Sequence, residues 1–239
     1  SGQFFRYVNR KLGRSHDTGV LKDGDGQVVA DDAGKACLLN TYFNSINVVD
    51  DATCPAFQRR TDGRLDDVSF DANAVRKHCN KMRPKFSSGP DGYPPFLLKQ
   101  IGPSIAGIIA QLFQSFMSIG RVPSDWKQAI IKPLFKKGAS SDPASYRPIS
   151  LTSIFSKLME KIIVEQMLKY LLTNNLISKQ QHGFLSRRST ATNLIESLND
   201  WTVKMENRQG QSVAYIDFAK AFDSVSHPKL LTKLGAYGI

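Results

Sequence analysis

Cysteine is nearly absent from this chain. The three present, Cys37, Cys54 and Cys79, are odd in number and lack C-x-x-C spacing. That argues against a disulfide framework or a cysteine zinc site and leaves reduced thiols. Histidine is equally sparse: His16, His78, His182 and His227 are scattered and form no metal-ligand cluster. No run approaches the roughly 18 apolar residues that a membrane helix needs, and the N-terminus carries no apolar signal-peptide core. A soluble, intracellular chain with no membrane partner is therefore expected. Internal repeats and low-complexity tracts are missing too. Acid is the last shortage: Asp and Glu total 21 against 32 Lys and Arg, a net charge of +11 with an isoelectric point near 9.6.

What is there is basic, and unevenly so. Between Arg121 and Thr190 stand twelve Lys or Arg residues, interrupted by only four acids: Asp125, Asp142, Glu160 and Glu165. A solvated basic helix face accounts for part of such a stretch, but a surface for nucleic-acid phosphates is the better reading. At 239 residues the chain has room for one large or two small domains with a real core.

Local patterning predicts a helix-rich, mixed α/β fold. Phe4, Phe5, Tyr7 and Val8 suggest a helix ending before Gly13. Lys22 to Gly26 reads as a hairpin turn between Val20-Leu21 and Val28-Val29. A helix fits Asp31 to about Ile46, with Leu39 and Phe43 near one face. Residues 47–67 read as a mobile linker, and Asp71 as the cap of a short helix carrying Val75 and Met82. Ile105, Ile108, Ile109, Leu112, Phe113 and Phe116 form a helical stripe ending at Gly120 and are expected in the core. A strand fits Ala129 to Phe135. Long helices are expected from Phe155 to about Tyr170, and from Thr190 to Met205 on a stripe of Leu194, Ile195, Leu198, Trp201 and Met205.

Val213 to Ser226, VAYIDFAKAFDSVS, carries the sharpest chemistry. Read as a strand, Ala214, Ile216 and Phe218 share one face and Asp217 takes the other. A carboxylate ending a buried strand is costly unless it meets a metal or a partner, and Mg²⁺ prefers such oxygen ligands. Asp217 could equally cap a helix starting near Lys220 or Ala221.

This segment resembles motif A of reverse transcriptases of the non-LTR, LINE-type retrotransposon branch. Four further segments resemble the same family in the expected order: SSGPDGYPPFLLK at 87–99, GRVPSDWKQAIIKPLFKKG at 120–138, SYRPISLTSIFSKLMEKII at 145–163 and QHGFLSRRST at 181–190. The resemblance implies the fingers and palm of a right-hand polymerase. It divides the chain into an N-terminal extension (1–66), the fingers (67–212) and the first palm strand and helix (213–239), with the chain expected to be cut within the palm.

The implied reaction is attack of a primer 3′-hydroxyl on an incoming deoxynucleotide, aided by two Mg²⁺ ions about 3.5–4 Å apart. The implied partners are an RNA template, a DNA primer and a dNTP, in the nucleus and cytoplasm. By resemblance, Asp217 and the Phe218 carbonyl bind metal, Asp217 being catalytic. Phe222 excludes a 2′-hydroxyl, and Arg147 and Lys136 meet the triphosphate. The match at Lys136 is softer, because the family usually has a proline where this chain has Phe135 or Lys137. Gly89, Asp91 and Gly92 resemble a lid near the template, although Gly-Pro-Asp-Gly is also good chemistry for an ordinary turn. Gln181, Gly183, Arg187 and Arg188 fall on the template side; His182 reads as a packing or hydrogen-bonding residue rather than a catalytic acid or base.

The family's second carboxylate motif, Tyr/Phe-x-Asp-Asp, is not in these residues, so the piece alone is expected not to polymerise. The alternative reading is a non-catalytic, maturase-like RNA-binding module.

Overall fold

Turn chemistry and helix caps set most elements of this chain. In the computed structural model, which describes residues 18–46, 50, 51 and 53–239, a turn joins β1 (Leu21–Lys22) to β2 (Val28–Val29) in an antiparallel hairpin. Asp23 Oδ1 accepts the Asp25 and Gln27 amides at 3.0 and 2.8 Å, as short carboxylates do in turns. The helix expected from Phe4 to before Gly13 lies outside the described residues. Helix α1 (Asp32–Ser45) starts on Asp31, which accepts the Gly34 amide at 2.7 Å. Helix α2 (Ala72–Lys81) starts on Asp71, which accepts the Asn73 and Ala74 amides. Each cap is worth about 1 kcal/mol. Helix α3 (Pro95–Ile101) has proline at its first position, where a missing N–H costs nothing. Helix α4 (Ala106–Ile119) ends on Gly120 at φ 66°, a left-handed cap.

Strands β3 (Ala129–Phe135) and β4 (Tyr146–Thr152) pair antiparallel, from Ala129↔Thr152 to Phe135↔Tyr146. Helices α5 (Ile154–Thr173), α6 (Thr190–Glu206) and α7 (His227–Ala236) follow. The larger core gathers Val75 and Cys79 of α2, Ile109 and Phe113 of α4, and Leu158 and Ile162 of α5, closed by Phe70, Met82 and Leu98. Glu165 of α5 stitches α2 from outside. It pairs with Lys77 and takes His78 Nε2 at 2.8 Å, and these hydrogen bonds hold its carboxyl below the usual range. A smaller cluster of Leu21, Leu39 and Tyr146 seats the β1–β2 hairpin and α1 on the β3–β4 sheet.

The structure departs from the sequence pattern at several points. The α4 stripe is only half core: Ile109 and Phe113 are buried, whereas Ile108 is 68% exposed and Leu112 also faces water. The α6 stripe is open, with Leu194, Ile195, Leu198 and Met205 all exposed. The strand at 213–218 is not formed. That segment carries no regular secondary structure, and Tyr215, Ile216 and Phe218 are exposed. An alternating sequence becomes a strand only where another strand completes its hydrogen bonds, and none does so here among the described residues. No helix begins at Lys220 or Ala221 either; turns occupy 219–224.

The described part of the 47–67 linker is tied down. Arg60 N–H donates to Ala236 O at 2.8 Å and Leu65 N–H to Gly238 O at 2.7 Å. Tyr170 of α5 donates its hydroxyl to Gly63 O at 2.9 Å and lies 3.1 Å from Tyr237 O. A side chain at Gly238 (φ 78°) would sit 2.2 Å from the Gly63 carbonyl, so only glycine fits this crossing. Ser226 caps α7 and bonds Asp50, while Lys229 pairs with Asp51 at 2.6 Å. Among the described residues no single helix is long and apolar enough to cross a membrane.

Candidate nucleic-acid interface

The β3–β4 register sorts the basic residues. Cross-strand partners point to the same face and neighbours along a strand alternate. Tyr146 faces the small cluster under α1, so its partner Phe135, with Pro133 and Ile131, points the same way. The opposite face carries Lys132 of β3 and Arg147 of β4, with Ile130, Leu134 and Ile149 between them, and the alternation continues to Lys136, one residue past β3, whose N–H donates to Ser145 O at 2.8 Å. All six are exposed. Arg147 stands opposite Leu134, which makes Lys136 its diagonal neighbour, about 7–8 Å away along the sheet. Neither strand contains an acid, and none of the three cations forms an ion pair among the described residues. This two-stranded face thus carries three exposed cations, and a guanidinium such as that of Arg147 is able to engage two phosphate oxygens at once.

Lys132 escaped the sequence reading as an individual residue. The signal was present in the alternation Lys132, Leu134, Lys136, which puts both lysines on one face of any strand drawn there.

The Gly89–Gly92 turn sits at the far end of the same sheet. Gly92 N–H donates to Gly89 O at 3.1 Å, and Asp91 Oδ1 accepts the Tyr93 amide at 3.1 Å. Gly89 is buried, and a Cβ there would lie 2.5 Å from the Thr152 carbonyl oxygen. Gly92, at φ 72°, has open space around it. Gly89 is therefore required by packing against β4, and Gly92 by backbone conformation. Gly89→Ala is expected to cost about 1–3 kcal/mol through overpacking. Gly92→Asn should be nearly neutral, since asparagine tolerates left-handed backbone. Thermal melts of the two variants check this.

The 181–188 loop is held locally. His182 is buried, with Nδ1 2.9 Å from Thr192 Oγ1 and Nε2 3.0 Å from Glu196 Oε2, so it both packs and hydrogen-bonds. Gln181 Nε2 donates to Gly183 O at 3.1 Å. Arg188 donates to the Lys179 carbonyl, whereas Arg187 is exposed at φ 63°. Phe184 meets Phe222 edge-on at 5.9 Å, which brings this loop to the 213–224 segment. Asp217 is exposed and makes no hydrogen bond or ion pair among the described residues, where no group of three metal-binding side chains assembles either. Among the described residues the structure thus brings Lys136 and Arg147 to one end of the β3–β4 sheet, the Gly89–Gly92 turn to its other end and Phe222 to the 181–188 loop, and gathers no group of three metal-binding side chains around Asp217.

Residues 134–239 match the family described as reverse transcriptase (RNA-dependent DNA polymerase). The RNA-directed DNA polymerase from mobile element jockey of Drosophila melanogaster is 36% identical over 126 residues, which cover 52% of this chain and 14% of that protein. The Pol polyprotein from retrotransposable element R2DM of the same species is 28% identical over 156 residues, 64% of this chain and 14% of that protein. The Pol polyprotein from type-1 retrotransposable element R1 of Bradysia coprophila is 27% identical over 208 residues, 82% of this chain and 19% of that protein. The chain is homologous to reverse-transcriptase-like proteins of non-LTR retrotransposons, and spans a small part of their length. Lys136, Arg147, Gln181, Gly183, Arg187, Arg188, Asp217, Phe218 and Phe222 fall inside the matched segment; Gly89, Asp91 and Gly92 precede it.

Proposed function

We propose that this chain is part of an RNA-directed DNA polymerase of the non-LTR retrotransposon type, acting inside the cell, in nucleus and cytoplasm. It would contribute the fingers and the first palm segment, which grip an RNA template, a DNA primer and an incoming dNTP. The observation that carries the reading is the acid-free sheet face on which Lys136 and Arg147 stand together beside Lys132. In that role Arg147 and Lys136 hold the triphosphate oxygens. Phe222 stands against the sugar and disfavours a 2′-hydroxyl by steric exclusion. Arg187 and Arg188 neutralise template phosphates, and Gln181, Gly183 and the Gly89–Gly92 turn line the template path.

Asp217 suits Mg²⁺, because its carboxylate is unpaired and open to water. One or two carboxylates completed by waters and substrate phosphates are the usual Mg²⁺ set. Asp217 and the Phe218 carbonyl would hold it, and the bound ion would neutralise charge on the reacting phosphate. The donors described here make half a site, so these 239 residues alone are expected to bind polynucleotide without extending a primer.

That same exposure of 213–218 favours a second reading for the isolated chain, a binding module without catalysis. Both readings require phosphate contacts, which release counterions. Binding of single-stranded RNA is therefore expected to weaken with salt, the three sheet cations alone giving a slope of about −2 in log K against log salt, at roughly −0.7 per contact. A salt-independent affinity would overturn both.

A further inference from the structure

Phe86 and Phe96 form a stacked pair on the surface, their ring centroids 4.9 Å apart and their planes 28° from parallel. Phe86 is 75% exposed and Phe96 37%, so Phe86 rests one ring face on Phe96 and turns the other to water. That forgoes most of the stabilisation that burying a phenylalanine gives.

The pair is nevertheless held firmly. Phe96 N–H donates to Lys85 O at 3.0 Å, and Lys99 Nζ donates to Met82 O at 2.8 Å. The 82–86 segment is thereby strapped to α3, and both are anchored in the larger core through Met82 and Leu98. The surroundings are cationic. Lys81, Arg83 and Lys85 are exposed, and none forms an ion pair among the described residues. Between Arg76 and Lys99 the lone acid is Asp91, whose Oδ1 accepts the Tyr93 amide while its Oδ2 is buried.

A preformed aromatic face with exposed cations close by in the chain suits a flat, π-faced partner carrying negative charge. An apolar protein partner would leave the cations unmatched. In a duplex the base faces are already occupied by stacking, so the partner presents an unpaired base. We propose that Phe86 and Phe96, with Arg83 and Lys85, form a stacking platform for single-stranded nucleic acid, separate from the β3–β4 phosphate face. The inference shares with the preceding reading that a polynucleotide binds, and it holds equally for a polymerase or a binding module.

The test is equilibrium binding of the chain to a short oligouridine and to an abasic strand of equal length, between about 50 and 200 mM salt. Phe86→Ala and Phe86→Leu are each expected to weaken oligouridine binding about tenfold, the scale of one base–aromatic stack. Their salt slope and their abasic-strand affinity should not change, and Phe86→Trp should retain affinity. Arg83→Ala with Lys85→Ala should instead flatten the salt slope by about 1.4, or 0.7 per cation.

Binding by Phe86→Leu equal to that of the unsubstituted chain would overturn the platform, as would an equal loss on the abasic strand in a variant that melts normally. Loss of self-association or of a protein contact in Phe86→Ala, with oligouridine binding intact, would also overturn it in favour of a protein-binding surface. A Lys132→Ala, Lys136→Ala, Arg147→Ala chain keeps the two readings apart. If it binds weakly while the Phe86 variants bind fully, the platform alone fails. If the reverse holds, the sheet face fails.

Discussion

Phe113→Ala is expected to destabilise the chain by about 3–5 kcal/mol, while Ile108→Ala, five residues earlier on the same helix, should change stability by no more than about 0.5 kcal/mol. Phe113 is fully buried, and its ring meets Phe70 at 5.6 Å and Trp126 at 5.9 Å, both edge-on. Removing it opens a cavity where α2, α4 and α5 converge and breaks two aromatic contacts, each worth about 0.5–1.5 kcal/mol beyond burial. Total stabilities of domains are about 5–15 kcal/mol, so this variant should show a much lower urea midpoint at an unchanged slope. Ile108 touches water, and losing it opens nothing. A large loss at Ile108 would mean that the outer side of α4 is covered in solution.

That contrast shows what sequence could and could not specify. Helix starts and stops were legible because they are local: Asp31, Asp71 and Gly120 each satisfy or release backbone groups within a few residues. The face of α4 was less so. Ala106, Ile108, Ile109, Ala110, Leu112, Phe113 and Phe116 wrap too much of the helix for periodicity to pick the buried side. Burial centred on Ala106, Ile109, Ala110 and Phe113, and only the positions of α2 and α5 decide that.

The expected strand at 213–218 failed for a related reason. Its alternation is a property of one segment, whereas a strand is a property of two. The strap from 60–65 to Tyr170 and 236–238 is built largely from backbone amides and carbonyls far apart in sequence, so side-chain pattern gave no hint of it. At the candidate interface Lys136 and Arg147 were named singly. Their meeting on one face needed the register, and the register brought in Lys132.

Replacing Lys132, Lys136 and Arg147 together by alanine should weaken single-stranded RNA binding about a hundredfold at 0.1 M salt. Each phosphate contact on a single strand contributes about −0.7 to the slope of log K against log salt, so three contribute about −2, or two decades of affinity between 0.1 and 1 M. The variant's line should therefore be flatter by about 2 and meet the unsubstituted line near 1 M. Convergence separates this from loss of fold, which lowers affinity at every salt. Stability should hardly move, because all three side chains are exposed and unpaired and the backbone ladder from Ala129 to Phe135 is untouched. It should rise slightly if repulsion among three cations on one face now costs the sheet anything. Parallel lines with a small offset would mean that the charge on this face only keeps the chain soluble. Any phosphate contacts would then lie on the 181–188 loop, where Arg187 is the exposed arginine and Arg188 is already engaged by the Lys179 carbonyl.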